Sequence, residues 1–336
     1  MTSAPGTVLR AVARSRLGRV AAALLLVFGA LVGWWRSSGN TDGYPSGEAA
    51  LATGVSRGVY DRYGLLLHVY LADNMPRLKL RLDNTQGSID NLERVASGQD
   101  AFAIATADAV ADYPAAKRSR LRGIARLYDD YLQLVVPANS PVHRAADLRG
   151  LRVGVGGGLS GVNLVTRRLL AGAGLDPDRD IRASMLGVGE AADQLSAGKL
   201  DAFFWSGGLP TSALTDLSER FPIRIVPLGD LAESVYQQEG GGTDAYRAAT
   251  IPPDAYPKAQ NSDTAVPTLA VPNLLVTRDD VDPRLVQGLT KAVIDSRDSI
   301  GAKVHAAQLV DLRTAVYTDP LPLAEGARRY YTSVKP

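Results

Sequence analysis

Three glycines in "VGVGGGLSGVN" (Val153–Asn163), at positions 156, 158 and 161, have the spacing G-x-G-x-x-G. Glycine at such a turn lets backbone N–H groups approach an anion, and the helix that follows turns its positive end toward it. A dinucleotide site needs, in addition, an acid at the end of the next strand to hold a ribose. The next apolar run, "IRASMLGV" (Ile181–Val188), ends in Gly187-Val188-Gly189, and Asp180 lies before it. The turn Gly158–Asn163, with Ser160 and Gly161 inside it, therefore reads as a cradle for a small carboxylate. A bare strand–helix turn and a nucleotide site are the alternatives.

Other stretches offer binding chemistry of the same mild kind. In "ATGVSRGVY" (Ala52–Tyr60), Gly54 and Gly58 allow close backbone approach, and Thr53 and Ser56 supply hydroxyls. Tyr60 adds an apolar wall with a hydroxyl tip, and Arg57 carries a fork suited to a carboxylate, although an exposed loop arginine is as readily just solvated. Gln86-Gly87-Ser88 followed by Asn91 reads either as a ligand turn or as a helix cap. Thr106 and Asp108 project from the end of the run "FAIATAD". In "FFWSGGLP" (Phe203–Pro210), Trp205 reads as a ligand wall or as core, and Ser206, Gly207 and Gly208 offer hydroxyl and N–H donors.

Several chemistries are absent. The chain has no cysteine, which removes disulfides, thiolate nucleophiles and zinc–thiolate sites. His68, His143 and His305 are the only histidines and have no partner at catalytic spacing; neither H-E-x-x-H nor G-x-S-x-G occurs. No catalytic residue, metal ligand or cofactor is expected. The net charge of +2 comes from Arg10, Arg14, Arg16 and Arg19; without those four, 33 of the 37 basic residues face 35 acidic ones. A body at −2 lacks the basic footprint of a nucleic-acid binder.

Those arginines precede "VAAALLLVFGALVGWW" (Val20–Trp35), 16 residues without a charge. A helix of that length spans about 24 Å, short of a hydrocarbon core of about 30 Å, but Arg19 and Arg36 can snorkel and the tryptophans suit an interface. Residues 1–36 read as an uncleaved signal anchor, with a cleaved signal peptide as the alternative. The nearest A-x-A, Ala50-Leu51-Ala52, lies fifteen residues beyond the run and inside an expected strand. Residues 37–47 are a Gly/Ser/Pro linker, and the arginines place the body outside the membrane.

At 336 residues with 46% hydrophobic side chains, the chain supports two lobes. Apolar runs at Glu48–Thr53, Leu78–Thr85, Leu151–Val155 and Ile181–Val188 each enter a small-residue turn. Helical patterns follow at Tyr60–Leu71, Ile89–Ser97, Val162–Ala171 and Glu190–Ser196. Such alternation marks an α/β fold with largely parallel strands, whose ligands sit at those turns. An echo supports two like halves: Gly98 and Gly198 each end a helix, and Asp-Ala-Phe follows at 100–102 and 201–203. The expected division is residues 48–136 as the first part of lobe 1, 137–265 as lobe 2, and 266–336 returning to lobe 1 with C-terminal helices.

With these stretches in order, the body resembles the TAXI branch of the extracytoplasmic receptors of tripartite ATP-independent periplasmic (TRAP) transporters. The carrying segments are Ala52–Tyr60, Thr85–Asp108, Val153–Gly161 and Gly198–Pro210, with weaker support from Ile251–Pro257 and Pro320–Tyr331. Val55, Ser56 and Arg57 depart from the glycine-rich first loop usual there, and Ala324-Glu325 stand where a histidine is usual. The resemblance implies a type II periplasmic-binding-protein-like clamshell that closes on a carboxylate or acidic amino acid and delivers it to a TRAP permease. A membrane-tethered sensing module without transport is the alternative from another class, and a nucleotide-dependent enzyme is a third.

Overall fold

The computed structural model describes residues 47–238 and 245–334. The leader of residues 1–36 and all of the linker but Gly47 lie outside the described residues. Among the described residues, no helix is long and apolar enough to cross a membrane.

In the first half, β1 (Gly47–Ala52) leads to α1 (Val59–Asn74), β2 (Leu78–Asp83), α2 (Ser88–Ser97) and β3 (Phe102–Thr106). β1 pairs in parallel with both β2 and β3. A short helix, α3 (Ala107–Asp112), follows β3 and runs on to the long strand β4 (Leu121–Pro137). The second half repeats the scheme with β5 (Arg152–Gly154), α4 (Gly161–Gly172), β6 (Arg182–Ser184), α5 (Val188–Ser196) and β7 (Ala202–Gly207). Here β5 pairs in parallel with β6 and β7. The central strand of each half thus precedes its two neighbours in sequence, and α2 and α5 both stop at a left-handed glycine, Gly98 (φ 83°) and Gly198 (φ 67°). That is the architecture behind the Asp-Ala-Phe echo.

Past α6 (Ser212–Arg220) and β8 (Ile223–Val226), the chain forms β9 (Arg247–Ile251), β10 (Val266–Arg278), α7 (Pro283–Asp295) and α8 (Glu325–Val334). The sheet runs β2-β1-β3-β10-β4-β7-β5-β6, with β8 on β4 and β9 on β10. β4 and β10 belong to both halves. β4 pairs with β10 from Leu121 to Tyr131, then with β7 from Tyr131 to Val135. β10 pairs with β9 up to Ala270 and with β3 from Asn273. We propose the passage between lobes where these partners change, near Tyr131 and Val271, a few residues before 137 and a few beyond 266, the limits expected from sequence.

Side chains alternate accordingly. Phe204 joins Leu132, Leu134, Val153 and Leu169 on one face, while Phe203 joins Val135, Ala192, Leu195 and Leu214 on the other. A strand buried on both faces reads as a continuous apolar run, as "AFFW" does. Lobe 1 packs Leu92 and Val95 of α2 against Val110, Leu274 and Val276.

Candidate functional site

The small-residue turns of both halves meet across one cleft, part of it open to solvent. From the first half come Gly54, Gly58, Tyr60, Gln86, Gly87, Ser88 and Thr106; from the second come Ser160, Gly161, Trp205, Ser206 and Gly207. All were candidates from sequence. Val55, Val59, Gly156, Gly157, Val162, Leu186, Gly187 and Asp130 complete the lining.

The two rims touch. The Ile89 and Asp90 N–H groups donate to the Leu159 carbonyl at 3.1 and 3.2 Å, so the start of α2 is satisfied by the opposite lobe. Gly87 has φ 122°, and a Cβ there would lie 3.3 Å from Ser160 Cα. A left-handed backbone and a close approach both require glycine at this point. A Cβ on Gly161 would stand 2.9 Å from Ser88 Oγ and from Thr106 Oγ1.

The remaining sequence candidates do not line the cleft. Thr53 is buried with its hydroxyl donating to the Asp83 carbonyl at 3.2 Å. Asn91 donates to the carbonyls of Thr53 and Ile104 and accepts from Thr85, tying strand ends together. Ser56 is exposed on the rim. Arg57 (φ 67°) reaches Asp216 at 3.2 Å, and its carbonyl accepts from Ser212. It links the lobes outside the cleft. Gly158 stands behind the turn, where a Cβ would meet only Met185 Sδ, at 3.3 Å. Asn163 completes the cap of α4, its N–H donating to Ser160 Oγ at 3.1 Å and its side chain to the Val155 carbonyl at 3.2 Å. Gly208 packs on Val59 and Ala306.

Asp108 anchors a separate contact between lobes. It accepts from the Ala109 N–H at 2.7 Å and from Tyr246, and lies 3.5 Å from Arg168 of α4. Arg168 also bonds Asp112 at 2.7 Å and lies over the Tyr246 ring at 5.6 Å. Burial pushes the Asp108 carboxyl up, against the pull of Thr106, Tyr246 and Arg168.

Within the cleft most hydroxyls are committed. Ser160 Oγ donates to the Gly157 carbonyl at 2.6 Å, Tyr60 to Asn273 Oδ1, and Ser88 Oγ accepts from the Thr106 N–H at 3.2 Å. Trp205 Nε1 donates to Thr211 at 3.0 Å, leaving its ring as the wall, so Trp205 is both core and lining. Asp130 differs. It is buried on the shared strand β4, and among the described residues its Oδ1 has no hydrogen-bond partner, nor has the neighbouring Asn273 Nδ2 or Ser206 Oγ. Burial pushes its carboxyl up to about 7; the Asn273 amide opposes this, and the charges of Asp129 and Asp108 add to it. Among the described residues no Lys, Arg or His lines the cleft. Sequence did carry a sign of this site, an acid pair inside the apolar run "LYDDYLQLVV" (Leu127–Val136).

The arrangement suits holding a small molecule between apolar walls, backbone N–H groups and a few polar atoms. Among the described residues no three His, Cys, Asp or Glu side chains gather as metal ligands would.

Solved structures share the architecture. A protein of Bordetella bronchiseptica RB50 is similar at 19% identity and a TM-score of 0.53, covering 86% of this chain and 90% of its own. An ancestral arginine-binding protein bound to arginine is similar at 14% identity and a TM-score of 0.50, covering 77% and 98%. The alkanesulfonate-binding protein SsuA from Xanthomonas axonopodis pv. citri, bound to MOPS, gives 17% identity and a TM-score of 0.48 over 87% and 85%. The fold is a two-lobed, periplasmic-binding-protein-like α/β fold. Residues 51–333 match the model of the NMT1-like family, and the chain belongs to that family.

Proposed function

We propose that this chain is an extracytoplasmic solute-binding protein, tethered by its N-terminal segment, that captures a small organic solute between its lobes and passes it to a membrane permease. The observation that carries this is the cleft itself, lined by matching turns from both halves and walled by the Trp205 ring. A carboxylate end of the solute rests at the Gly156–Gly161 turn, at the N-terminus of α4, where the helix end favours an anion. The arginine-binding neighbour of the same fold supports a solute of amino-acid size. The narrower TAXI resemblance supports a TRAP-type permease as the recipient. Co-purification with a TRAP-type permease is the expected result; an ABC-type permease in its place would correct the partner and leave the binding role.

The binding role is tested by thermal denaturation of the full-length protein against amino acids, carboxylates and other small metabolites. A solute at a hundred times its Kd adds about 2.7 kcal/mol, which raises the midpoint by roughly 4 °C for a chain of this size. A flat response across the whole collection would end the solute-binding reading.

A further inference from the structure

We propose that Asp130 sets the specificity of the cleft by accepting from a protonated nitrogen of the solute, so that amine-bearing solutes of zero or positive net charge are selected over purely anionic ones. This rests on the solute-binding reading and adds the chemical class that the cleft takes.

Asp130 lines the cleft and is 3% exposed, and among the described residues its Oδ1 meets no donor. An ionised carboxylate only accepts, so a buried one needs donors brought to it. The charged donors nearby are engaged elsewhere: Arg126 and Arg247 pair with Asp129, and Arg168 pairs with Asp108 and Asp112. Tyr60 donates to Asn273, which leaves only neutral groups beside Asp130, the Asn273 amide and the Tyr128 hydroxyl. Ser206 Oγ, in a residue 5% exposed on the same lining, also lacks a partner. An ammonium group has three N–H donors and a positive charge, and it satisfies both orphan oxygens at once. A second carboxylate in that place would face Asp130 with no basic side chain on the lining to offset the repulsion. A solute held in this way bridges the Gly156–Gly161 turn of one lobe and the strand that both lobes share.

Calorimetric titration of the full-length protein with matched pairs tests this: L-leucine and 4-methylpentanoate, 4-aminobutyrate and butyrate, L-alanine and propanoate. At least one amine-bearing member should bind about 10- to 100-fold more tightly than its deaminated partner. Asp130→Asn should lose that factor while keeping a cooperative unfolding transition, and Ser206→Ala should lose a smaller part of it. Equal binding within the pairs, or an Asp130→Asn variant that binds as the parent does, would overturn the role of Asp130 and leave solute binding standing. Silence from all six probes would overturn it too, and the thermal screen then shows whether solute binding fails with it.

Discussion

Replacing Gly161 with valine should weaken solute binding by about a hundredfold and hold the lobes apart, while each lobe stays folded. The missing Cβ is the reason. On Gly161 it would stand 2.9 Å from Ser88 Oγ and Thr106 Oγ1, and both belong to the opposite lobe. The three atoms nearest that Cβ all belong to the opposite lobe, so its cost falls on closure. Closure draws its free energy from a solute that touches both lobes, and an obstacle between the rims removes it. Gly158→Val is the control, since a Cβ at Gly158 would meet only the flexible end of Met185. X-ray scattering at saturating solute should show compaction in the parent and the control and none in Gly161→Val. Unaltered affinity in Gly161→Val would make that turn a connector and no more.

Asp130→Asn should stabilise the empty protein at pH 8 by up to about 4 kcal/mol, the free-energy equivalent of a carboxyl moved from 3.8 to about 7. The sign follows from linkage. A folded-state pKa above the unfolded one favours the folded protein while the carboxyl is protonated. That advantage is complete below about 4 and is lost as pH rises through 7. The two proteins should therefore have close urea midpoints at pH 4 and diverge up to pH 8, with the variant the more stable. Asp108, Asp129 and their arginines are common to both proteins, so the difference isolates Asp130. A variant less stable than the parent at pH 8 would mean that Asp130 already has a donor in the empty protein. Solute binding should run the other way: affinity for an amine-bearing solute rises as Asp130 ionises, where a solute accepting from a protonated Asp130 would bind more weakly.

The turns were legible because their chemistry is local. Glycine and small hydroxyl residues at the end of an apolar run mark strand, turn and helix start wherever they occur. Gly54, Gly87, Gly161 and Trp205 all reach the cleft that such turns imply. What sequence did not separate is which polar residue faces the solute and which holds the frame. Asn91 and Asn163 have the same amide as any ligand contact, but each is spent on backbone carbonyls. Arg57 and Asp108 are spent on contacts between the lobes, which depend on residues more than a hundred positions away. Asp130 was passed over for the opposite reason: a strand interior is read as core, and only the sheet order shows that β4 runs beneath the cleft.

The central claim is that one solute is held by both lobes at once, and hydrogen–deuterium exchange of the full-length protein tests it most directly. With the solute that gives the largest thermal shift at saturation, exchange should slow together at residues 54–60 and 86–88 of the first lobe. It should slow equally at residues 156–162 and 205–207 of the second, with little change in α7 and α8. Protection confined to one lobe, or centred on the outer groove lined by Arg57, Arg62 and Lys303, would contradict capture between the lobes.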